Sequence, residues 1–200
     1  MSVDEAAIWQ QTYQVIDKET GSSSYGQSVT YGRQLAKSLT APFGQYSEYA
    51  RRLRMVESVA VFDLGRRILV IGGGFGYLEH VMRGRGYIDV RTLDNSQWIA
   101  DHWMNEAEAD CTLIQRDVLG DVSDLSFDAI ITEDMASVVD ERDLPLFFSN
   151  CDLIAPVVIH LVTAITDPAA RTWYTMETLA WWKQQSPSHL WINLVSGESL

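Results

Sequence analysis

Apolar positions along this chain recur first at helical spacing and then at strand spacing. Over residues 4–18, 25–40 and 45–62 they return every three to four positions, the period of a helix with one buried face. Gly21-Ser22-Ser23-Ser24 separates the first two of these stretches, and Pro42 with Gly44 separates the second from the third, as helix breakers should. From Arg67 the pattern changes. Short β-rich runs near 67–71, 88–93, 111–115, 127–132, 156–163 and 189–195 alternate with helical stretches near 76–84, 95–108, 141–152 and 169–185. That alternation predicts an α/β fold: a Rossmann-like three-layer sandwich with a mostly parallel sheet and an N-terminal helical extension. Residues 1–64 are read as a helical cap or lid and residues 65–200 as the sheet domain, packed as a single compact unit. Val157-Val158-Ile159-His160-Leu161-Val162 is an uninterrupted apolar run, as expected of a strand covered on both faces. The last run, from His189 to Val195, is read as an edge strand able to lie antiparallel.

The sharpest break falls within Arg67-Ile68-Leu69-Val70-Ile71-Gly72-Gly73-Gly74-Phe75-Gly76-Tyr77-Leu78, where the first strand gives way to glycines and then to an amphipathic helix. Glycines at 72, 74 and 76, with Gly73 between them, allow positive φ and leave no Cβ between the main chain and a ligand. The helix behind them points free N–H groups at the occupant, as a nucleotide cradle requires. Eighteen residues after Gly76, the second strand run ends in Asp94, whose carboxylate can accept both hydroxyls of a ribose. Asn95 and Ser96 follow and are placed to line the adjoining pocket. Flavin and nicotinamide folds begin in a similar way but want Gly-x-Gly-x-x-Gly. Here the third glycine of that pattern would be Tyr77, too bulky for the close helix packing of a pyrophosphate site.

Charge and composition narrow the partners. Asp and Glu outnumber Lys and Arg by 27 to 15, a formal charge of −12 that repels phosphate backbones, so nucleic acid is a disfavoured partner. Arg51, Arg52, Arg54, Arg66 and Arg67 are the local exception, either a small basic patch near the site or, more simply, a solvated helix face followed by a strand entry. No apolar run reaches the roughly 18 to 20 residues that span a bilayer, and the start Met1-Ser2-Val3-Asp4-Glu5 is acidic where a secretory signal is basic, so no membrane partner is expected and the expected compartment is the cytoplasm. Cys111 and Cys151 lack a metal-ligand rhythm and are read as core thiols.

With the glycine turn, Asp94 and an acidic fourth-strand end in hand, the chain resembles the class I S-adenosylmethionine-dependent methyltransferases over about residues 65 to 165. The resemblance implies S-adenosyl-L-methionine as cofactor, with Gly72, Gly73, Gly74 and Gly76 beside its methionine part, Asp94 and Asn95 at the ribose, and Asp117 and Val118 at the adenine. Phe127-Asp128-Ala129-Ile130-Ile131-Thr132-Glu133-Asp134 looks like the family's fourth strand and the acids after it, with Glu133 near the cofactor. Two departures stand out. The acid that the family usually carries two residues before its first glycine is Val70 here, and only one strand of the usual C-terminal hairpin is legible. The wording Leu-Val-Ile-Gly-Gly-Gly-Phe-Gly is closest to the spermidine-synthase-like branch, which transfers aminopropyl groups.

The implied reaction is methyl transfer to a small or medium-sized acceptor. It needs little covalent help, because the sulfonium already activates the methyl and the protein mainly aligns the nucleophile and excludes water. Glu133 and Asp134 are the candidate catalytic groups, as base or as orienting carboxylates. Their bland alternative is a solvated loop start or a helix cap. Tyr25 and Tyr31, in the N-terminal extension, carry polar tips suited to the acceptor and fit an ordinary packing helix equally well. His80, His102, His160 and His189 are read as structural, and no His/Cys/carboxylate cluster has metal spacing, so no metal is expected. Trp181 and Trp182 cannot both face one core from a single helix, which leaves one ring for the surface, a pocket wall or a homodimer interface. An aminopropyltransferase and a non-catalytic cofactor-binding or structural subunit of the same fold remain the competing readings.

Overall fold

The structure, a computed structural model, describes residues 44–60, 63, 65–74, 76–97, 99–101, 111–162, 164, 177–194 and 196–200. The two helices expected before residue 41, with Tyr25 and Tyr31, lie outside the described residues, as does His102. Helix α1 (Gly44–Val59) leads into strand β1 (Arg67–Ile71), α2 (Tyr77–Arg85), β2 (Asp89–Asp94), β3 (Thr112–Gln115) and β4 (Ala129–Glu133). A short α3 (Met135–Val138), α4 (Leu144–Ile154), β5 (Val158–Val162), α5 (Leu179–Gln185) and β6 (Leu190–Asn193) complete the order.

The six strands form one sheet in the order β3-β2-β1-β4-β5-β6. Every neighbouring pair is parallel. Strand alternation divides the core into two layers. On one face Ile68 and Val70 of β1, Ala129 and Ile131 of β4 and Ile159 and Leu161 of β5 pack against Leu53 and Val56 of α1 and Leu78 and Met82 of α2. On the other, Leu69, Ile71, Ile130, Val158, Val162 and Trp191 meet Phe147, Phe148, Cys151 and Ile154 of α4 and Leu179 and Trp182 of α5. Strands sandwiched this way have no solvent face, which is why β1 and β5 read as unbroken apolar runs.

The expected antiparallel edge strand is not observed: β6 runs parallel to β5, in the register Ile159↔Leu190 through Val162↔Asn193. The connection carrying α5 is long enough to return the chain in the same direction, as parallel pairing requires. The antiparallel element at this edge is instead the segment after Gly197, whose φ of 78° reverses the chain. Trp191 and Leu200 exchange both backbone hydrogen bonds, at 3.1 and 2.9 Å, and Ile192 bridges Ser199.

Trp182 is fully buried and stacks on the equally buried Trp191 at 5.3 Å between ring centroids, while Trp181 is half-buried and meets Trp182 edge-on. Cys151 is buried and Cys111 half-buried, both as free thiols. Two of the histidines join a buried chain across the same layer. Thr132 Oγ1 lies 2.8 Å from His160 Nδ1, His160 Nε2 lies 2.9 Å from His189 Nδ1, and His189 Nε2 lies 2.9 Å from the carboxylate of Asp152. One set of neutral tautomers satisfies every member: Thr132 donates to His160, His160 to His189 and His189 to Asp152. These two histidines are structural, as the sequence suggests, and their polar atoms are paired inside an otherwise apolar layer.

Candidate functional site

In an open parallel sheet, ligands bind outside the carboxyl ends of the strands where the strand order reverses. Here that point lies between β1 and β4, because the chain moves from β1 outward to β2 and β3 and then returns to the other side of β1. The glycine turn leaves β1 there, with Glu133, Asp134 and Met135 leaving β4 beside it.

Gly72, Gly74 and Gly76 all have positive φ, at 77°, 55° and 78°, so the turn has the backbone that the spacing of these glycines implies. The amide of Gly72 donates to Leu93 O at 2.9 Å, tying the turn to the end of β2. The three glycines from 72 to 74 face different surroundings. A Cβ on Gly72 would collide with the side chain of Met135, and one on Gly73 with the carboxyl of Glu79. A Cβ on Gly74 would meet nothing within 4 Å. The turn is therefore packed at Gly72 and Gly73 and open at Gly74, and this opening is the candidate hollow for a ligand.

Asp94 borders that hollow. Its carboxylate accepts the amides of Ser96, at 2.9 Å, and of Gly74. Burial raises its pKa, and the two amides pull it back down by favouring the ionised form. Ser96 is itself buried, and its hydroxyl accepts the amide of Ile99, capping the helical turn that begins there. Asn95 stands half-buried between Asp94 and Ser96. Asp117 and Val118 follow β3 at the same edge of the sheet. The exposed Asp117 holds its own loop by accepting the Leu119 amide at 2.9 Å, and the carbonyl of buried Val118 accepts Asn150 Nδ2 at 2.7 Å.

Near Val70 a buried carboxyl comes from another element. Val70 lies in register with Thr92, and the space beside them is filled by Glu79 from the first turn of α2. Glu79 is completely buried, and its Oε1 accepts the Thr92 hydroxyl at 2.5 Å. Its Oε2 has no hydrogen-bond partner among the described residues. Burial, with Glu133 and Asp94 nearby, pushes its pKa up to about 8 against the pull of the Thr92 hydrogen bond. The sequence signal for it is faint: an acid in the first turn of a helix is ordinary as a complement to the helix dipole.

Glu133 is not free to act as an isolated base, since Arg52 of α1 reaches it at 2.8 Å, with side-chain exposures of 23% and 8%. Arg52 also lies over the ring of Tyr49, 4.9 Å from its centroid, and Tyr49 stacks on Tyr77 at the start of α2 at 5.4 Å. Arg51 donates to Leu194 O at 2.7 Å. Of the arginines read as a solvated face, two therefore strap α1 across the sheet edge, whereas Arg54 is exposed. Asp134 is the one described non-glycine residue with positive φ, at 55°, and its Oδ1 accepts the Ser137 hydroxyl at 2.7 Å. Such a backbone costs on the order of 1–3 kcal/mol and persists where its surroundings over-determine it, commonly at functional sites.

No family model matches this chain, and no curated protein matches it. Solved structures do match in fold. DhpI in complex with SAH superposes with a TM-score of 0.54 at 16% identity, over 80% of this chain and 84% of that one. CalO1, described as a methyltransferase in calicheamicin biosynthesis in its SAH-bound form, gives 0.55 at 16% identity, over 90% of this chain and 60% of its own. DesVI from Streptomyces venezuelae gives 0.52 at 15% identity, over 86% of this chain and 62% of its own. These neighbours give no support to the aminopropyl-transferring branch that the wording of the glycine turn favours. Among the described residues, no helix is long and apolar enough to cross a membrane. The fold is thus a Rossmann-like α/β sandwich, shared with the SAH-bound structures of DhpI and CalO1 and with DesVI.

Proposed function

We propose that this protein binds S-adenosylmethionine at the carboxyl edge of the sheet and transfers its methyl group to a small or medium-sized acceptor other than nucleic acid. The observation that carries the reading is Asp94, a half-buried carboxylate held on the Gly74 and Ser96 amides beside the opening of a positive-φ glycine turn. That arrangement fits an adenosyl ligand: the glycine turn admits close approach of the main chain, and Asp94 can accept a ribose diol. Gly72, Gly73, Gly74 and Gly76 form the cradle, Asn95 adjoins the sugar, and Asp117 with Val118 borders the base. The neighbours that carry SAH support the same ligand.

The bound cofactor supplies a methyl already activated by its sulfonium. The residues of this chain then bind, orient and exclude water. Arg52 holds Glu133 in place at the end of β4, so Glu133 serves as a positioned partner rather than a free base. Asp134, fixed by its unusual backbone and by Ser137, is the carboxylate set to orient an acceptor or take its proton. On this reading the acceptor's contacts fall to the N-terminal extension with Tyr25 and Tyr31.

Calorimetric titration with S-adenosylmethionine and with S-adenosylhomocysteine tests the reading. Micromolar binding is expected for the wild type. Asp94→Ala should weaken it by about 1.5–3 kcal/mol through loss of charge-assisted hydrogen bonds. Equal affinity in the two proteins would contradict the assignment of the ribose. Asp134→Asn should lower the rate of methyl transfer while leaving the cofactor dissociation constant unchanged; a change confined to cofactor binding would remove Asp134 from the acceptor side.

A further inference from the structure

Beneath the glycine turn lies an acid whose environment does not suit a permanent charge. Glu79 has no exposed surface, and its carboxyl sits so close to Gly73 that no side chain could be built there without striking it. Oε1 is engaged by Thr92 on β2, whose hydroxyl is also 3.5 Å from Cys111 Sγ, while Oε2 has no hydrogen-bond partner among the described residues. Among the described residues, the titratable groups around it are Asp94 on β2, Glu133 on β4, Tyr49 on α1 and Tyr77 on its own helix. All of these are negative or neutral. The nearby cation, Arg52 of α1, is engaged with Glu133. Leaving an ionised carboxylate unpaired in such a place is costly, and the group takes up a proton instead.

We propose that Glu79 is a proton-linked receptor for positive charge: its carboxyl is neutral while the hollow is empty and becomes a carboxylate when a cationic ligand occupies it. The inference rests on the reading that the hollow takes S-adenosylmethionine, which carries both an ammonium and a sulfonium. In the step, the O–H bond of the Glu79 carboxyl breaks, the electron pair stays on oxygen, and the proton passes to the solvent buffer. The positive charge above the turn then offsets the cost of ionising a carboxyl that has no cation paired with it among the described residues. The raised pKa of about 8 agrees, since it leaves the group largely protonated at neutral pH. A purely structural glutamic acid would stay protonated throughout, and a conventional ion-pairing acid would be ionised before the ligand arrived.

Two measurements on the whole chain separate these cases. The first needs no ligand: infrared difference spectra of wild type against Glu79→Gln at pH 7 should show a protonated carboxyl band in the wild type that the variant lacks. Its absence would overturn the proposal. The second is calorimetry with S-adenosylmethionine at pH 7 in phosphate and in Tris, buffers that differ in ionisation enthalpy. The wild type should release close to one proton, and its dissociation constant should fall nearly tenfold per pH unit between pH 6 and pH 7.5. In Glu79→Gln both dependences should vanish. Wild-type binding with the same enthalpy in both buffers, or proton release that survives in Glu79→Gln, would sink the proposal while leaving the cofactor assignment standing. Failure of S-adenosylmethionine to bind wild type at all would instead refute the cofactor reading and the receptor role with it.

Discussion

Burying one carboxyl under a glycine turn makes the stability of the fold depend on pH in an unusual direction. The unfolded chain ionises Glu79 above its ordinary value of 4.5, whereas the fold keeps the proton until about pH 8. Between those values the unfolded state binds fewer protons, so stability falls as pH rises. Glu79→Gln has nearly the same shape and cannot ionise. Its unfolding free energy from urea denaturation should gain on that of the wild type from pH 5 to pH 8, reaching about 2–4 kcal/mol, and parallel curves would contradict the burial. This residue also shows where sequence reading stops. Gly72, Gly74, Gly76 and Asp94 were legible because backbone need and chemistry both point to those residue types at those spacings. Glu79 was not, because its burial depends on Gly73 in the turn above it and on Thr92 thirteen positions later, contacts that only the folded sheet creates.

Among the elements, α1 is the one whose existence was plain and whose task was hidden. Its period marks a buried stripe, and Leu53 and Val56 do enter the core. Its arginines carry no such signal, because whether a cation on a helix is solvated depends on what lies opposite it. Arg52→Ala should cost about 1–3 kcal/mol, as it leaves a mostly buried Glu133 without its partner. A double-mutant cycle with Glu133→Gln should recover most of that loss, and strict additivity would mean that the pair contributes nothing. A different dependence is expected of the chain linking β4, β5 and α4. Burial, and then His189, lowers the pKa of His160 far below 6.5; burial also lowers that of His189 against the pull of Asp152. The unfolded chain therefore takes up protons that the fold refuses, and stability should fall as pH drops below about 6.5. His160→Gln should flatten that acid limb in urea denaturation, and an unchanged limb would place its origin elsewhere. Strand direction was illegible for a different reason. Alternation of side chains says which faces are covered, but it is the same for either orientation, so only the length of the α5 connection distinguishes the parallel β6 from the expected antiparallel one.

For the whole molecule, the alternation of apolar runs was enough to give three layers and six strands, because a sheet covered on both faces leaves few other ways to hide so many β-branched residues. Its persistence at 15–16% identity to DhpI, CalO1 and DesVI reflects the same packing rule rather than shared wording. Fold alone does not fix chemistry, and the functional account depends on what stands at the reversal of strand order between β1 and β4. There the molecule brings Gly74, Asp94 and Glu133 to one edge of the sheet, with Glu79 buried beneath the turn. A crystal structure of the protein soaked or grown with S-adenosylhomocysteine tests this most directly. The account predicts ligand density over Gly74 with the ribose hydroxyls on the Asp94 carboxylate. Density at any other edge of the sheet, or a ribose held without Asp94, would contradict it.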